Sequence, residues 1–545
     1  MRKFVLGLAA AALLVAACSA DASPVLRRPA PGTRSGGALR VGLTAPGSIE
    51  PGNVYEPSGD LIVRTMCTPL LATDPATAEL LPAIAEFWLV TDGGAGLTLR
   101  LREGVRFNDG TPLTAEDVAF TLTRIASAEY ASTSAELLAP IAGYPEIHGD
   151  VPTDDESARR RLAGVAVRDE RTVQIALRTP QADFLRVLTS SVTAPVSQRA
   201  AQADPINFGR QPVCVGPYRL RDSFAPGDPA LTLVRSGAYD PIDTSLTGGG
   251  RGYADSIEFR FYPDLTAAAA ARDAGEVDVA PARPGDSQGV QAGPGPEIEY
   301  IGLPVTSPGF DEPAMRRALS LALDRDALIQ AVFPGTRTAA DGFLPATAPA
   351  DDACPAVPPN GDFPAAQALV AQLGVDLRQI RPPIYFNDEF RHRALVEEVA
   401  RQWRSTLGLE VVPTPLSPAD FLARGDGRPG FDGPFRFSWS SPFSGVDPYL
   451  APLFGTAGIG RDNFTRFSEP AVDDLILRQA RRAQDPADRA LAYGRLADLL
   501  CEAMPMIPVT QSLSRWLVAD DVGSAAGSYV DGSTGQALIR ELFLR

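Results

Sequence analysis

LRLREGVRFNDGTPLTAEDVAFTLTRI, residues 99–125, holds a strand, a turn and a helix start in unbroken succession. Leu97-Thr98-Leu99-Arg100-Leu101-Arg102 alternates apolar and polar side chains, the period of a strand with one buried face. Asn108-Asp109-Gly110 is a turn, because glycine accepts backbone conformations that other residues resist. Thr114-Ala115-Glu116-Asp117 then opens an apolar-periodic helix over 118–125. The threonine caps free amides, and the two acids sit at the positive end of the helix dipole.

Outward from this stretch, strands and helices keep alternating. Residues 39–44, 171–177, 256–261, 277–279, 383–386 and 409–412 read as strands. Residues 60–68, 266–274, 313–333, 365–373, 391–407 and 470–504 read as helices. The alternation predicts an α/β architecture. About 500 residues are too many for one core, so two or more lobes are expected.

The first residues point to export. Arg2 and Lys3 precede an apolar stretch, 4–17, which is shorter than the roughly 20 residues that span a bilayer and suits a signal peptide. It ends Val15-Ala16-Ala17-Cys18, a pattern that resembles the bacterial lipobox, with lipid carried on Cys18 after cleavage. Residues 19–37 are rich in Ser, Pro, Ala, Gly and Arg and read as a flexible tether. Without Arg2 and Lys3, the 50 basic residues fall to 48 against 66 acidic ones, a formal −18. So acidic a chain is a poor partner for nucleic acid.

Several further segments, taken in order, carry a family likeness. Leu80-Leu81-Pro82-Ala83-Ile84-Ala85-Glu86 precedes the 99–125 stretch; Val215-Gly216-Pro217-Tyr218, Ala274-Gly275-Glu276-Val277-Asp278 and MRRALSLALDRDAL (315–328) follow it. Together they resemble the extracytoplasmic solute-binding proteins of ABC importers, the oligopeptide, dipeptide and nickel type. The resemblance runs over about 37–518 and implies a two-lobed fold of the periplasmic-binding-protein kind (type II), with an extra subdomain on lobe I and a hinged cleft. Lobe I is expected from 38–85, 186–299 and 512–545, the extra subdomain from 86–185, and lobe II from 300–511. Asp109-Gly110, Asp117, Arg316, Asp324 and Arg325 are read as structural, the last three pairing at or near a helix surface.

With Cys18 assigned to lipid, Cys67, Cys214, Cys354 and Cys501 form an even set in an oxidising location and allow three pairings. Cys67–Cys214 and Cys354–Cys501 are favoured, because each pair then lies within one lobe; four free thiols are the alternative.

The resemblance places ligand between the lobes and implies a peptide or peptide-like solute, a permease partner, a monomer, and neither cofactor nor metal. Three segments should line the cleft: 48–55 with Glu50, the strand end Tyr385-Phe386-Asn387, and 436–447 with Arg436, Trp439, Ser441, Phe443 and Asp447. Peptide-binding members carry an aspartate three residues after the tryptophan to hold the peptide ammonium; here Pro442 stands there. Either Asp447 reaches the ligand or the ligand lacks a free amino terminus. Arg436 is a candidate for a ligand carboxylate or phosphate, and Glu50 an alternative anion for a cationic ligand. A sugar, a metal chelate or haem is the alternative solute, and a sensor or cell-envelope interaction protein uncoupled from transport the alternative role.

An exported hydrolase is the rival class. No phosphate-cradling Gly-rich loop and no H-E-x-x-H occurs. Only His148 and His392 exist, both in polar stretches that read as surface, with His392 close to the proposed cleft strand.

Overall fold

Leu97, Leu99 and Leu101 are buried and Arg100 is exposed, so the strand Gly96–Leu101 keeps the one-faced pattern of its sequence. It pairs with Ala85–Thr91 on one side and Thr172–Ala176 on the other, and Val165–Asp169 completes a four-stranded antiparallel sheet. Gly110 adopts φ +85°, and the Asp109 carboxylate accepts from the Thr111 amide at 2.9 Å and its hydroxyl at 2.6 Å. The helix Ala115–Ala126 buries Val118, Ala119, Leu122, Ile125 and Ala126 on one face. Asp117 accepts from the Thr114 amide at 3.0 Å through one oxygen and from the Gln198 amide at 3.0 Å through the other, so the cap also ties two helices together.

The computed structural model describes residues 30 and 32–545, except 55, 152, 154, 156–159, 240–251, 390, 428 and 442. The expected signal segment and Cys18 lie outside the described residues, as do Tyr55 and Pro442.

An 11-stranded sheet organises the rest. Edge to edge it runs Val412–Leu416, Pro383–Asn387, Phe435–Trp439, Val290–Gly302, Met506–Val518, Val279–Pro281, Ala38–Thr44, Ser256–Tyr262, Ala230–Arg235 and Tyr218–Leu220. Arg337–Ala339 pairs Met506–Val518 off this path. The two 13-residue strands, Val290–Gly302 and Met506–Val518, pair in both halves of the sheet and join the two lobes. Their register breaks between Pro294 and Ile298. At this break the Ser512 hydroxyl accepts from the Glu297 amide at 3.1 Å, and the Tyr449 hydroxyl donates to the Pro296 carbonyl at 2.7 Å.

Two separate cores flank the crossing strands. One gathers residues such as Leu39, Leu99, Leu122, Phe184 and Phe259, and it receives Val522, Ile539 and Leu542 from the C-terminal segment. The other gathers Ile298, Leu319, Phe386, Trp403, Leu453 and Leu496. Each core contains one disulfide: Cys67–Cys214 and Cys354–Cys501, both with Cα–Cα 5.6 Å. Gly216 lies beside the first; a Cβ there would sit 1.8 Å from the Met66 carbonyl oxygen, so only glycine allows the chains this close.

Three expectations need correction. The helix expected over 313–333 is two, Pro313–Leu321 and Arg325–Val332, the second capped by Asp324 accepting from the Ala327 amide at 2.8 Å. Arg316 and Arg325 do not pair at a surface: they are buried and donate mainly to carbonyls, Arg316 to those of Ala503 and Phe310, Arg325 to those of Pro508 and Pro358. With no carboxylate beside it, burial lowers the Arg325 pKa to about 9. The stretch 470–504 is likewise divided, into Pro470–Asp474, a wider turn Leu475–Ala480, and Pro486–Ala503, which starts where Asp485 caps the Ala487 amide at 2.8 Å.

Candidate functional site

Glu299 lies in a crossing strand, opposite Ser438 on one neighbour and Thr510 on the other. Side chains two residues apart in a strand share a face, which sets Glu299 diagonally beside Arg436. Glu299 is wholly buried and accepts from the Arg436 Nε at 2.6 Å. Its other oxygen lies 3.6 Å from Arg337 Nη1 and accepts from the Thr510 hydroxyl at 3.4 Å. Arg337 also meets Glu297 at 2.6 Å and lies over the Phe333 ring at 4.9 Å. Burial alone would raise the Glu299 carboxyl; Arg436 and Arg337 overcome it and hold it below its ordinary pKa.

His392 and Asn387 border this cluster. The His392 Nδ1 is 2.9 Å from the Asn387 carbonyl, which can only accept, so Nδ1 carries the proton and Nε2 is an acceptor. Burial, then the charge of Arg436, holds the His392 pKa below its ordinary value, so the ring is neutral at pH 7. It is half-buried rather than a surface group. His148, by contrast, stacks on Tyr144 and meets Asp150 at 2.9 Å.

Arg436 is therefore locked by its Nε alone. Among the described residues neither of its terminal nitrogens has a hydrogen-bond partner. Further along the same strand, Phe437 and Trp439 are half-buried and stacked, ring centroids 6.0 Å apart. The Trp439 indole N–H donates to the Pro448 carbonyl at 2.8 Å, which fixes the ring. Phe437 also packs on Phe464 at 5.1 Å, at the margin of an aromatic cluster with Phe421, Phe431 and Phe435. The strand thus carries a planar cation-bearing fork on one face and an aromatic pair on the other.

The remaining expected residues lie elsewhere or are already engaged. Phe386 is wholly buried in the second core, which removes it from any cleft wall. The Ser441 hydroxyl donates to the Phe443 carbonyl at 2.8 Å, and Phe443, in the loop after the strand Phe435–Trp439, packs into the first core. Asp447 starts the helix Asp447–Phe454, and both its oxygens accept from Arg481, each at 2.8 Å. Glu50 meets Arg124 at 2.5 Å, and that guanidinium stacks on Tyr130 at 3.9 Å, so its charge is balanced within the first lobe. Among the described residues no three His, Cys, Asp or Glu side chains gather as a metal site.

Glu299, Arg337 and Thr510 escaped the sequence reading. Glu297-Ile298-Glu299-Tyr300 alternates like a strand with a solvated acidic face, and only the sheet order shows that this face is covered.

Comparison with known proteins fits this architecture. The family described as "Bacterial extracellular solute-binding proteins, family 5 Middle" matches residues 79–461, well over half of the chain. The chain is 26% identical to the glutathione-binding protein GsiB of Escherichia coli (strain K12) over 445 residues, 79% of this chain and 80% of that one. A clavulanic acid biosynthesis oligopeptide binding protein superposes with TM-score 0.79 at 26% identity, covering 96% of this chain and 97% of the other. The periplasmic murein tripeptide binding protein MppA, in an unliganded open form, gives TM-score 0.79 at 19% identity, over 94% and 99%. With its two lobes, its crossing strands and a match of this extent, the chain belongs to family 5 of the bacterial extracellular solute-binding proteins.

Proposed function

We propose that the chain is the lipid-anchored substrate-binding subunit of a peptide-type ABC importer, closing its lobes on a peptide or peptide-like solute and presenting the closed form to a permease. The observation that carries this reading is Arg436, oriented by a buried Glu299 and keeping its two terminal nitrogens for a ligand. A guanidinium so held offers a planar, two-pronged donor that suits a peptide's carboxylate. Because Asp447 is held by Arg481, recognition rests on the carboxyl end rather than on an ammonium bound at Asp447. The relatives named for glutathione, an oligopeptide and a murein tripeptide support the peptide class.

In this reading the solute is bound and released without chemical change. Anchoring is through Cys18, and no helix among the described residues is long and apolar enough to cross a membrane. Lobe I comprises 38–85, 186–299 and 512–545, the extra subdomain 86–185, and lobe II 300–511; hinge closure occurs about the crossing strands. Native mass spectrometry of the purified protein tests the solute class. A retained peptide of unaltered mass is expected; a sugar, a metal chelate or haem contradicts the reading, as does steady product formation from an added peptide.

A further inference from the structure

Four charged side chains from three strands form an alternating row: Glu297, Arg337, Glu299, Arg436. The successive contacts are 2.6, 3.6 and 2.6 Å. Two carboxylates and two guanidiniums cancel, so the row is neutral as a whole. Its middle is closed, because both Glu299 oxygens are engaged and Arg337 is shared between the two glutamates.

Both ends of the row are open. Glu297 accepts from Arg337 through Oε1, while its Oε2 has no hydrogen-bond partner among the described residues, and the side chain is 35% exposed. At the other end the two terminal nitrogens of Arg436 are unpartnered. Solvent reaches each of these three atoms, whereas unpartnered atoms elsewhere, such as the Tyr493 hydroxyl, are sealed from it.

Charge balance then constrains the ligand. A carboxylate bound at Arg436 alone would leave the row with a net negative charge where burial makes that costly. A cation at Glu297 restores neutrality. Asp447 does not fill this need, since both its oxygens serve Arg481.

We propose that Glu297 is the amino-terminal anchor of the solute, so that the row selects a short zwitterionic peptide with its ammonium on Glu297 and its carboxylate on Arg436. This rests on the reading of Arg436 as the carboxylate fork. Side chains two residues apart in a strand stand roughly 6–7 Å apart, which sets the step from Glu297 to Glu299. An extended peptide covers about 3.3–3.6 Å per residue, so a ligand reaching past Glu299 to the Arg436 fork has about two or three residues.

Trialanine is the probe, with its N-acetyl derivative, its carboxyl-terminal amide and pentaalanine, each titrated calorimetrically into the full mature chain. Trialanine is expected to bind, and acetylation to weaken it at least tenfold, a comparison that needs no variant. Pentaalanine should bind at least tenfold more weakly than trialanine. In Glu297→Gln, trialanine should weaken at least tenfold and acetylation should cost less than threefold more. Amidation should still cost at least tenfold in that variant, because the Arg436 fork is untouched. If acetylation is harmless in wild type while amidation is costly, Glu297 is not the anchor and only this proposal falls. If amidation is harmless in wild type, the Arg436 reading falls and this one with it. No binding of trialanine, equal binding of pentaalanine, or a full acetylation penalty in Glu297→Gln also overturns the proposal.

Discussion

Glu299 and Arg436 form a buried pair across adjacent strands, 2.6 Å apart, with 0% and 9% of their side chains exposed. A charge in such a place is stable only while its partner remains. Glu299→Gln keeps the shape and removes the charge, leaving the buried Arg436 without its carboxylate partner and Arg337 with Glu297 alone. A stability loss of about 3–5 kcal/mol is expected, measured by urea denaturation. An unchanged midpoint would show that the arginines are solvated in solution.

The same carboxyl has a pH signature. Its folded pKa lies below the ordinary glutamate value, so it stabilises the fold above that value and ceases to do so as pH falls through the folded one. His392 acts at higher pH. Its folded pKa lies below 6.5, so the unfolded chain takes up the proton first and stability declines as pH drops below about 6.5. Melting temperatures between pH 7.5 and 5 should fall less in His392→Gln than in wild type. Parallel curves would remove His392 from the account.

Asp447 tests the division between structure and recognition. Both its oxygens serve Arg481, so Asp447→Ala should cost on the order of 3 kcal/mol in stability while leaving peptide affinity within about twofold at a temperature where the variant is folded. A loss of affinity worth 2–5 kcal/mol would instead make Asp447 a ligand contact.

The two disulfides each span 147 residues of sequence, one in each core. Chain entropy predicts about 5 kcal/mol for closing a loop of that length. Removing Cys354–Cys501 with paired alanines should raise hydrogen exchange chiefly across the second core, and removing Cys67–Cys214 chiefly across the first. Uniform loss of protection from either would mean that the lobes unfold as one unit.

Much of the fold was legible because it rests on local rules. The alternation at 97–102, the Asp109-Gly110 turn and the Thr114–Asp117 cap each depend on neighbours within a few residues. The break after Leu321 was not legible, since MRRALSLALDRDAL has helical period throughout and only the Asp324 cap interrupts it. The site was half legible. The family likeness pointed to Arg436 and Trp439, but the partners that orient them, Glu299 and the Pro448 carbonyl, come from other elements or the next turn. Likewise, nothing local to Asp447 announces Arg481, 34 residues away.

The most direct test of peptide capture at Arg436 is a calorimetric titration of one tight-binding peptide and its carboxyl-terminal amide into wild type and Arg436→Gln. The account predicts that amidation weakens wild-type binding by about 2–5 kcal/mol, and that this penalty nearly vanishes in the variant. An equal penalty in both proteins, or none in wild type, would contradict it.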